Sequence, residues 1–500
     1  MLKQKLPQKD ENVKYSQNCG ANDSQTQQTR NDDVEQTTCK PTTKNEMDMT
    51  SGNLAKKIVV YALPIIFSGL LQLLYNATDL VVCGRFGSEH SVGAISATNA
   101  LTNLIIQLFL GFSVGANVLM ARCFGSAQKE KGQRVAYTAM IISVVVGVFL
   151  GVFGVIFARY FLVWMGTDPD VLPLSTTYLT IIFCGMPFSL VYNFGASLLR
   201  AVGDTKRPFY FLAISGVFNV LFNLLFVIVF RMDVAGVALG TILAQAISAG
   251  CIVVCLLKNK GFFHFSMKEL RFYKAEALEI AQIGLPAGVQ GVIFSLSNVL
   301  LQSNINSLGV NTVDGNGASS SIEGFVYTAM NSVAQTSVAF VSANFGCNNW
   351  KNIKRSFVYC LTYVFLLGMG MGALAIAFGK PLLGIYLPKN PAAVEIGYSR
   401  LVLICLTYYL CGMMDVVAFS LRGIGYSTLP TIVSLCGVCG MRILWIYTVF
   451  VQEQFNSLQG LMISYPVSWL LTFAVNFTLF AILYAKKHKR YKQQLPLQQA

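Results

Sequence analysis

Residues 198–208 read Leu-Leu-Arg-Ala-Val-Gly-Asp-Thr-Lys-Arg-Pro, and residues 420–430 read Ser-Leu-Arg-Gly-Ile-Gly-Tyr-Ser-Thr-Leu-Pro. Aligned, they place Arg200 on Arg422, Gly203 on Gly425 and Pro208 on Pro430. At nearly the same offset Leu63-Pro64 meets Leu285-Pro286, Gly69 meets Gly291, Asn76 meets Asn298, Phe124-Gly125 meets Phe345-Gly346 and Arg134 meets Arg355. A chain that says the same thing twice in register folds as two similar halves.

The halves are membrane-embedded. Of 500 residues, 54% are hydrophobic and only 12% charged, with mean hydropathy +0.55, far from the roughly 25% charge of soluble domains. From about residue 57, apolar stretches alternate with short loops carrying Arg, Lys, Asp, Gly and Pro, and each is long enough to cross roughly 30 Å of hydrocarbon as a helix. About twelve such stretches define an all-α integral membrane protein of two six-helix repeats: an N-lobe at 53–258, a loop at 259–279 and a C-lobe at 280–485. Six is even, so the repeats run parallel. Lys56, Lys57, Lys129, Lys131, Arg134, Lys206, Arg207, the basic residues of the central loop and the tail at 486–500 fall on the face shared by both termini. The other face has little more than Arg85, Arg159, Arg231, Lys380 and Lys389. By the positive-inside rule both termini are cytoplasmic, and the formal charge of +14 is a topology signal rather than a nucleic-acid footprint. Residues 1–52, polar and poor in large apolar side chains, read as a disordered tail. They lack the early apolar core of a cleaved signal, so the first span acts as an uncleaved one.

Two homologous membrane halves are the architecture of many secondary transporters, with the substrate path between them. Of the three histidines none lies in an apolar stretch, which excludes imidazole-based metal or acid–base chemistry there. The stretch Phe378-Gly379-Lys380-Pro381 lacks the hydroxyl and the earlier glycine of a phosphate-binding loop, so the driving energy comes from an ion gradient. Most of the thirteen cysteines lie in apolar helices as small buried thiols. Cys436 and Cys439 form a Cys-x-x-Cys spacing with no second pair or histidine to complete a metal site.

Ionisable side chains inside the membrane face a cavity or a partner. Asp79 lies near the outer end of the first span, where the helix dipole disfavours an anion; it serves function there or pairs with Arg85. Asn219 and Asn223 are four apart on one face of the fifth span, lining a wet cavity or making interhelical hydrogen bonds. Thr241 on the sixth falls at a similar depth to Asp79 and Asn223, whereas Asn193 sits deeper and joins them only through a tilt or bend. The second half puts Leu301, Met441 and Trp445 at the positions of Asp79, Asn219 and Asn223. It offers Glu323, Asp415 and Arg442 instead: the acids contact a cationic substrate or are neutralised by Arg442. Tyr408, Met413 and Met414 add aromatic and soft surface, for a ligand or for a core. Pro64 and Pro286, near the starts of the first and seventh spans, mark equivalent bends that act as hinges or static kinks.

With Leu63-Pro64, Asn76-Ala77-Thr78-Asp79, Gly84-Arg85-Phe86-Gly87, Ser113-Val114-Gly115-Ala116-Asn117, Arg122-Cys123-Phe124-Gly125 and the paired Leu-Arg-x-x-Gly segments, the chain resembles the multidrug and toxic compound extrusion (MATE) transporters over roughly residues 54–485. The resemblance implies two lobes forming a V-shaped cleft and export of organic cations or other amphiphiles in exchange for Na⁺ or H⁺. It makes Asp79 the coupling aspartate and Asn193, Asn219 and Thr241 its polar companions. Asn223 stands where many members have a second aspartate. The acid that some branches carry on the seventh span falls here on Phe294, flanked by Gln290 and Asn298, and Asp415 lies about a turn from their acid on the tenth. No cofactor, resident metal or enzymatic constellation is called for, and the chain is read as a monomer in the cell membrane. Two alternatives stand beside export. A lipid-linked oligosaccharide flippase of the same superfamily calls for more inward-facing basic residues, and a membrane-embedded transferase calls for a catalytic constellation.

Overall fold

A computed structural model describes residues 43–499 except Glu89 and Lys389. Among these residues twelve long helical spans follow one another. The N-lobe holds α1 (Leu54–Phe86), α2 (Ser91–Gly125), α3 (Lys129–Trp164), α4 (Leu172–Cys184 continued by Met186–Ala201), α5 (Lys206–Val229) and α6 (Asp233–Leu257). The C-lobe holds α7 (Lys274–Asn306), α8 (Val310–Gly346), α9 (Trp350–Ala377), α10 (Pro391–Gly423), α11 (Thr428–Phe450) and α12 (Leu458–Gln494). α4 bends by 45° at Gly185, because Pro187 lacks the N–H that would carry the helix across the break.

Ten of these helices are long and apolar enough to cross a membrane, and α4 makes eleven if its two pieces count as one span. The remaining helix, α8, is rich in Asn, Ser, Thr and Gly. Its position explains its composition: it packs against α1 and α2 of one lobe and α9 and α10 of the other, so its walls are protein rather than lipid. Buried hydroxyls along it are satisfied locally, Ser332 donating to Thr328 O, Thr336 to Ser332 O and Ser337 to Ala334 O.

The lobes join along a seam of glycines. A methyl group on Gly111 of α2 would overlap the backbone of Gly288 on α7, one on Gly115 would strike Ile280 O, and one on Gly284 would lie 2.6 Å from Phe112 O. Small residues let two membrane helices approach backbone to backbone, where van der Waals contact supplies the attraction that apolar burial cannot supply in lipid. Nearer the termini the duplicated Phe-Gly pair meets its own copy, Gly125 lying against Ala343 and Gly346 against Arg122. Arg122 Nη2 donates to Arg422 O at 3.1 Å and Gly423 O at 3.2 Å, placing a cation at the C-terminal end of α10, where the helix dipole favours it. The closest glycine-mediated approaches between the lobes, Gly111 with Gly288, Gly115 with Ile280, Gly125 with Ala343 and Gly346 with Arg122, fall in the halves of α2, α7 and α8 nearest the termini. One continuous core there includes Tyr61 and Phe124 from one lobe and Ile280, Phe340 and Val416 from the other.

The disordered-tail expectation fails for residues 43–52; residues 1–42 lie outside those described. Met47 N donates to Val202 O, Asn344 Nδ2 to Met49 O at 2.9 Å and Asn352 Nδ2 to Thr50 O at 2.6 Å. Met49 is fully buried. Composition averaged over the segment hides these two methionines, which find an apolar gap between the lobes. Beyond residue 486 the chain continues as helix, with Lys487 Nζ capping Ile424 O at 2.7 Å.

Replacing Gly111 or Gly288 by Leu is expected to cost about 1–3 kcal/mol by overpacking. Thermal unfolding of detergent-purified protein measures it. Gly370→Leu, where nothing lies within 4 Å of the added carbon, is the matched control and should change little.

Candidate functional site

In the N-lobe, α1, α5 and α6 bring four of the expected residues together. Asn223 Nδ2 donates to Asp79 Oδ1 at 2.6 Å, and Thr241 Oγ1 donates to Asp79 Oδ2 at 3.2 Å. Asn219 Nδ2 reaches Thr241 Oγ1 at 3.3 Å, and its Oδ1 accepts from Asn223 at 3.5 Å. The 3.6-residue period puts Asn219 and Asn223 on one stripe of α5, and Gly240 on α6 leaves the room that Asn223 occupies. Asp79 is only 6% exposed. Arg85 points outward, and Asp79 makes no ion pair among the described residues, so the pairing alternative is not realised. Among the described residues this carboxylate is held only by neutral donors, beside the unpartnered acceptor Asn223 Oδ1, an arrangement whose chemistry could hold a proton or a small hard cation. Asn193 does not join this cluster. It donates to Ser189 O at 2.8 Å on its own helix α4 and faces the central cavity, because it lies nearer the terminal side of the lobe.

The C-lobe acids part company. Glu323 Oε2 pairs with Arg400 Nη2 at 2.8 Å while its Oε1 accepts from Ser319 at 2.9 Å, and both partners are buried. Glu323 is therefore a structural pair, and its partner is Arg400 rather than Arg442. Arg442 instead lies over the Tyr465 ring, 3.8 Å from its centroid. Asp415 sits beside Arg422, Asn331 and Tyr327, and its Oδ2 is buried without a hydrogen-bond partner among the described residues. Met413 packs into the core and is not a cleft residue. Cys436 is exposed and Cys439 buried against Ile293 O. No metal-holding cluster of His, Cys, Asp or Glu occurs among the described residues.

Between the lobes lies a cavity of about 380 Å³, within the range of small-molecule sites. Of the expected residues, Gln290, Asn298, Tyr408, Met414, Asp415 and Phe294 line it, together with Asn193. Tyr61 and Ile65 of α1, flanking Pro64, also line it. Asp79, Asn219, Asn223 and Thr241 do not line it, so the carboxylate cluster and the cavity are two separate places linked by α1. Sequence reasoning missed Arg200, Arg422 and Arg442 as cavity residues. The signal was present: two of them are the duplicated arginines, standing in otherwise apolar surroundings where a charge calls for an explanation.

Two parallel six-helix lobes around a central cavity, with a second polar cluster inside one lobe, define a two-lobe membrane transporter. The MatE family model matches residues 64–225 and 286–448, one stretch in each lobe, and the chain belongs to this family. It is similar to the probable multidrug resistance protein YoeA of Bacillus subtilis, 24% identical over 86% of this chain and 94% of that protein. It is also similar to the FAD transporter of Shewanella oneidensis, 19% identical over 86% of this chain and 94% of that protein. Among solved structures, a multidrug resistance MATE family transporter of the MOP superfamily in an outward-facing conformation superimposes with a TM-score of 0.83 at 20% identity. That match covers 90% of this chain and 99% of the other.

Arg400→Met is expected to destabilise the fold by about 3–5 kcal/mol, since it strands the Glu323 carboxylate in the lobe interior. The double variant Glu323→Gln/Arg400→Met should recover part of that loss in the same melting measurement.

Proposed function

We propose that the chain is a multidrug efflux transporter that exports small amphiphiles from the central cavity in antiport with H⁺ or Na⁺ held at Asp79. The membrane is the cell membrane, with both termini cytoplasmic, and the working unit is a single chain. The observation that carries the coupling is the Asp79 carboxylate, buried, hydrogen-bonded by Asn223 and Thr241, and without a cationic partner among the described residues. Such a group binds an ion from a gradient because its charge is otherwise uncompensated in a low-dielectric lobe.

The ion and the cargo communicate through α1. This helix holds Asp79 in its outer half, lines the cavity with Tyr61 and Ile65, and packs against α8 of the other lobe. Pro64 interrupts its hydrogen-bond ladder at the level of the cavity, and Pro286 does the same in α7 beside the glycine seam. Ion occupancy at Asp79 favours one setting of α1 against α5 and α6. Cargo in the cavity favours the other, and the lobes rock between the two. The names of relatives, a multidrug resistance protein and an FAD transporter among them, support small-molecule transport. The arginines at the cavity meet the criterion of inward-facing basic residues set for a lipid-linked oligosaccharide flippase, but a cavity of about 380 Å³ matches a drug-sized molecule better than an oligosaccharide.

Asp79→Asn should reduce gradient-driven dye efflux from cells lacking their own pumps by at least tenfold at equal expression. Collapsing the H⁺ and Na⁺ gradients separately names the ion. Full efflux by the variant would refute coupling at Asp79.

A further inference from the structure

The central cavity is more basic than the family resemblance leads one to expect. Among the described residues three guanidinium groups line it, Arg200 from the N-lobe and Arg422 and Arg442 from the C-lobe, against one carboxylate, Asp415. Arg422 and Arg442 are only 3% and 5% exposed. The partners of the three are mostly neutral. Arg422 Nη2 donates to Gln290 Oε1 at 2.7 Å, and Arg200 Nη1 reaches Gln335 Oε1 at 3.5 Å. Arg442 makes no hydrogen bond or ion pair among the described residues and rests over Tyr465. The Nε atom of each of the three is buried without an acceptor among the described residues. Asp415, beside Arg422, compensates one of these charges and leaves two, the buried Arg442 and the half-buried Arg200. Glu323, a second buried acid of the C-lobe, is already taken by Arg400.

A buried guanidinium without a counter-charge costs several kcal/mol, and an anion entering the cavity removes that cost. The planar fork of arginine also matches the oxygens of a carboxylate, sulfonate or phosphate. A monovalent organic cation would meet the same two uncompensated charges as repulsion. Beside the arginines stands a wall of stacked rings: Tyr327 lies 6.3 Å from Tyr408 at an interplanar angle of 25°, and Tyr408 lies 5.3 Å from Trp469 at 25°. Flat apolar bodies pack against such faces. The duplication contributes directly, because Arg200 and Arg422 occupy the same place in the two copies of one motif and so present one charge from each lobe. We infer that the cavity takes a small amphiphile whose headgroup is an anion carried on an aromatic body, which names the cargo class of the exporter proposed above and rests on that reading.

The test compares two dyes of opposite charge. Pump-deficient cells are loaded with carboxyfluorescein or with ethidium. Efflux is followed for the wild-type chain, Arg442→Gln and Arg442→Lys, and carboxyfluorescein binding to each purified full chain is measured by fluorescence anisotropy. The expected result is carboxyfluorescein efflux by the wild type and binding at least tenfold weaker in Arg442→Gln. Arg442→Lys should restore part of the affinity because it keeps the charge. A purely structural Arg442 would lower the melting temperature while leaving the dissociation constant of the folded protein unchanged, and that outcome would overturn the inference. So would efflux of ethidium with carboxyfluorescein retained. Binding of carboxyfluorescein by the wild type, lost in Arg442→Gln but without efflux of either dye, would uphold the anionic cavity and refute the export reading instead.

Discussion

Everything in this molecule is referred to the glycine seam between α2 and α7. Gly111, Gly115, Gly284 and Gly288 allow two backbones to touch in the halves of the helices nearest the termini, and this contact sets where the lobes are joined. In lipid an apolar side chain gains little by leaving one hydrocarbon surface for another, so close packing of small residues does what burial does in water. With the lobes tied there by the seam, by Arg122 on the end of α10 and by the segment around Met49, the space between them becomes a cavity lined by residues from both. The same anchoring makes α8 the helix walled by both lobes, which is why it tolerates so many polar residues and reads poorly as a membrane span.

The two copies share a frame and divide the chemistry. Asp79, Asn219 and Asn223 of the first become Leu301, Met441 and Trp445 in the second. There Leu301 is buried and Trp445 donates to Gly460 O at 3.0 Å, so the equivalent pocket is filled by side chains. The second copy puts its charge elsewhere: Glu323 with Arg400 inside the lobe, and Asp415, Arg422 and Arg442 at the cavity. One lobe thus carries the carboxylate left without a cationic partner among the described residues, and the other carries most of the charge at the cavity. The Asp79 cluster and the cavity are separate places on α1, and the proposed antiport would therefore couple them through conformation rather than by direct exchange on the same atoms.

Much of this was legible before any coordinates. Sequence periodicity puts Asn219 and Asn223 on one stripe, and depth counting puts Asp79 and Thr241 at their level; the structure brings all four into hydrogen-bond reach. Asn193, which the family resemblance made a companion of Asp79, stays outside that cluster and faces the cavity instead, as its deeper position on the depth count allows. Partners distant along the chain were not legible. Arg400 lies 77 residues from Glu323, and nothing in either local segment distinguishes it from Arg442 as the neutralising cation. Met47 and Met49 were hidden in a polar segment whose average composition argues for disorder, because a few anchoring side chains decide whether a short stretch packs. The basic residues in the loops were easily counted, whereas the duplication of Arg200 and Arg422 did not reveal that they and Arg442 face one cavity.

The sequence by itself determined the number of spans, the duplication, the parallel relation of the halves and the residues that stand on a common helical face. These follow from hydrophobic length, from repeat register and from the 3.6-residue period, which are all local or periodic quantities. Only the tertiary structure decided which charges neutralise one another, which residues look into the cavity and how basic that cavity is. Those depend on distances between helices far apart in the chain, and in a low-dielectric interior a few ångströms separate a satisfied ion pair from a charge that needs a ligand.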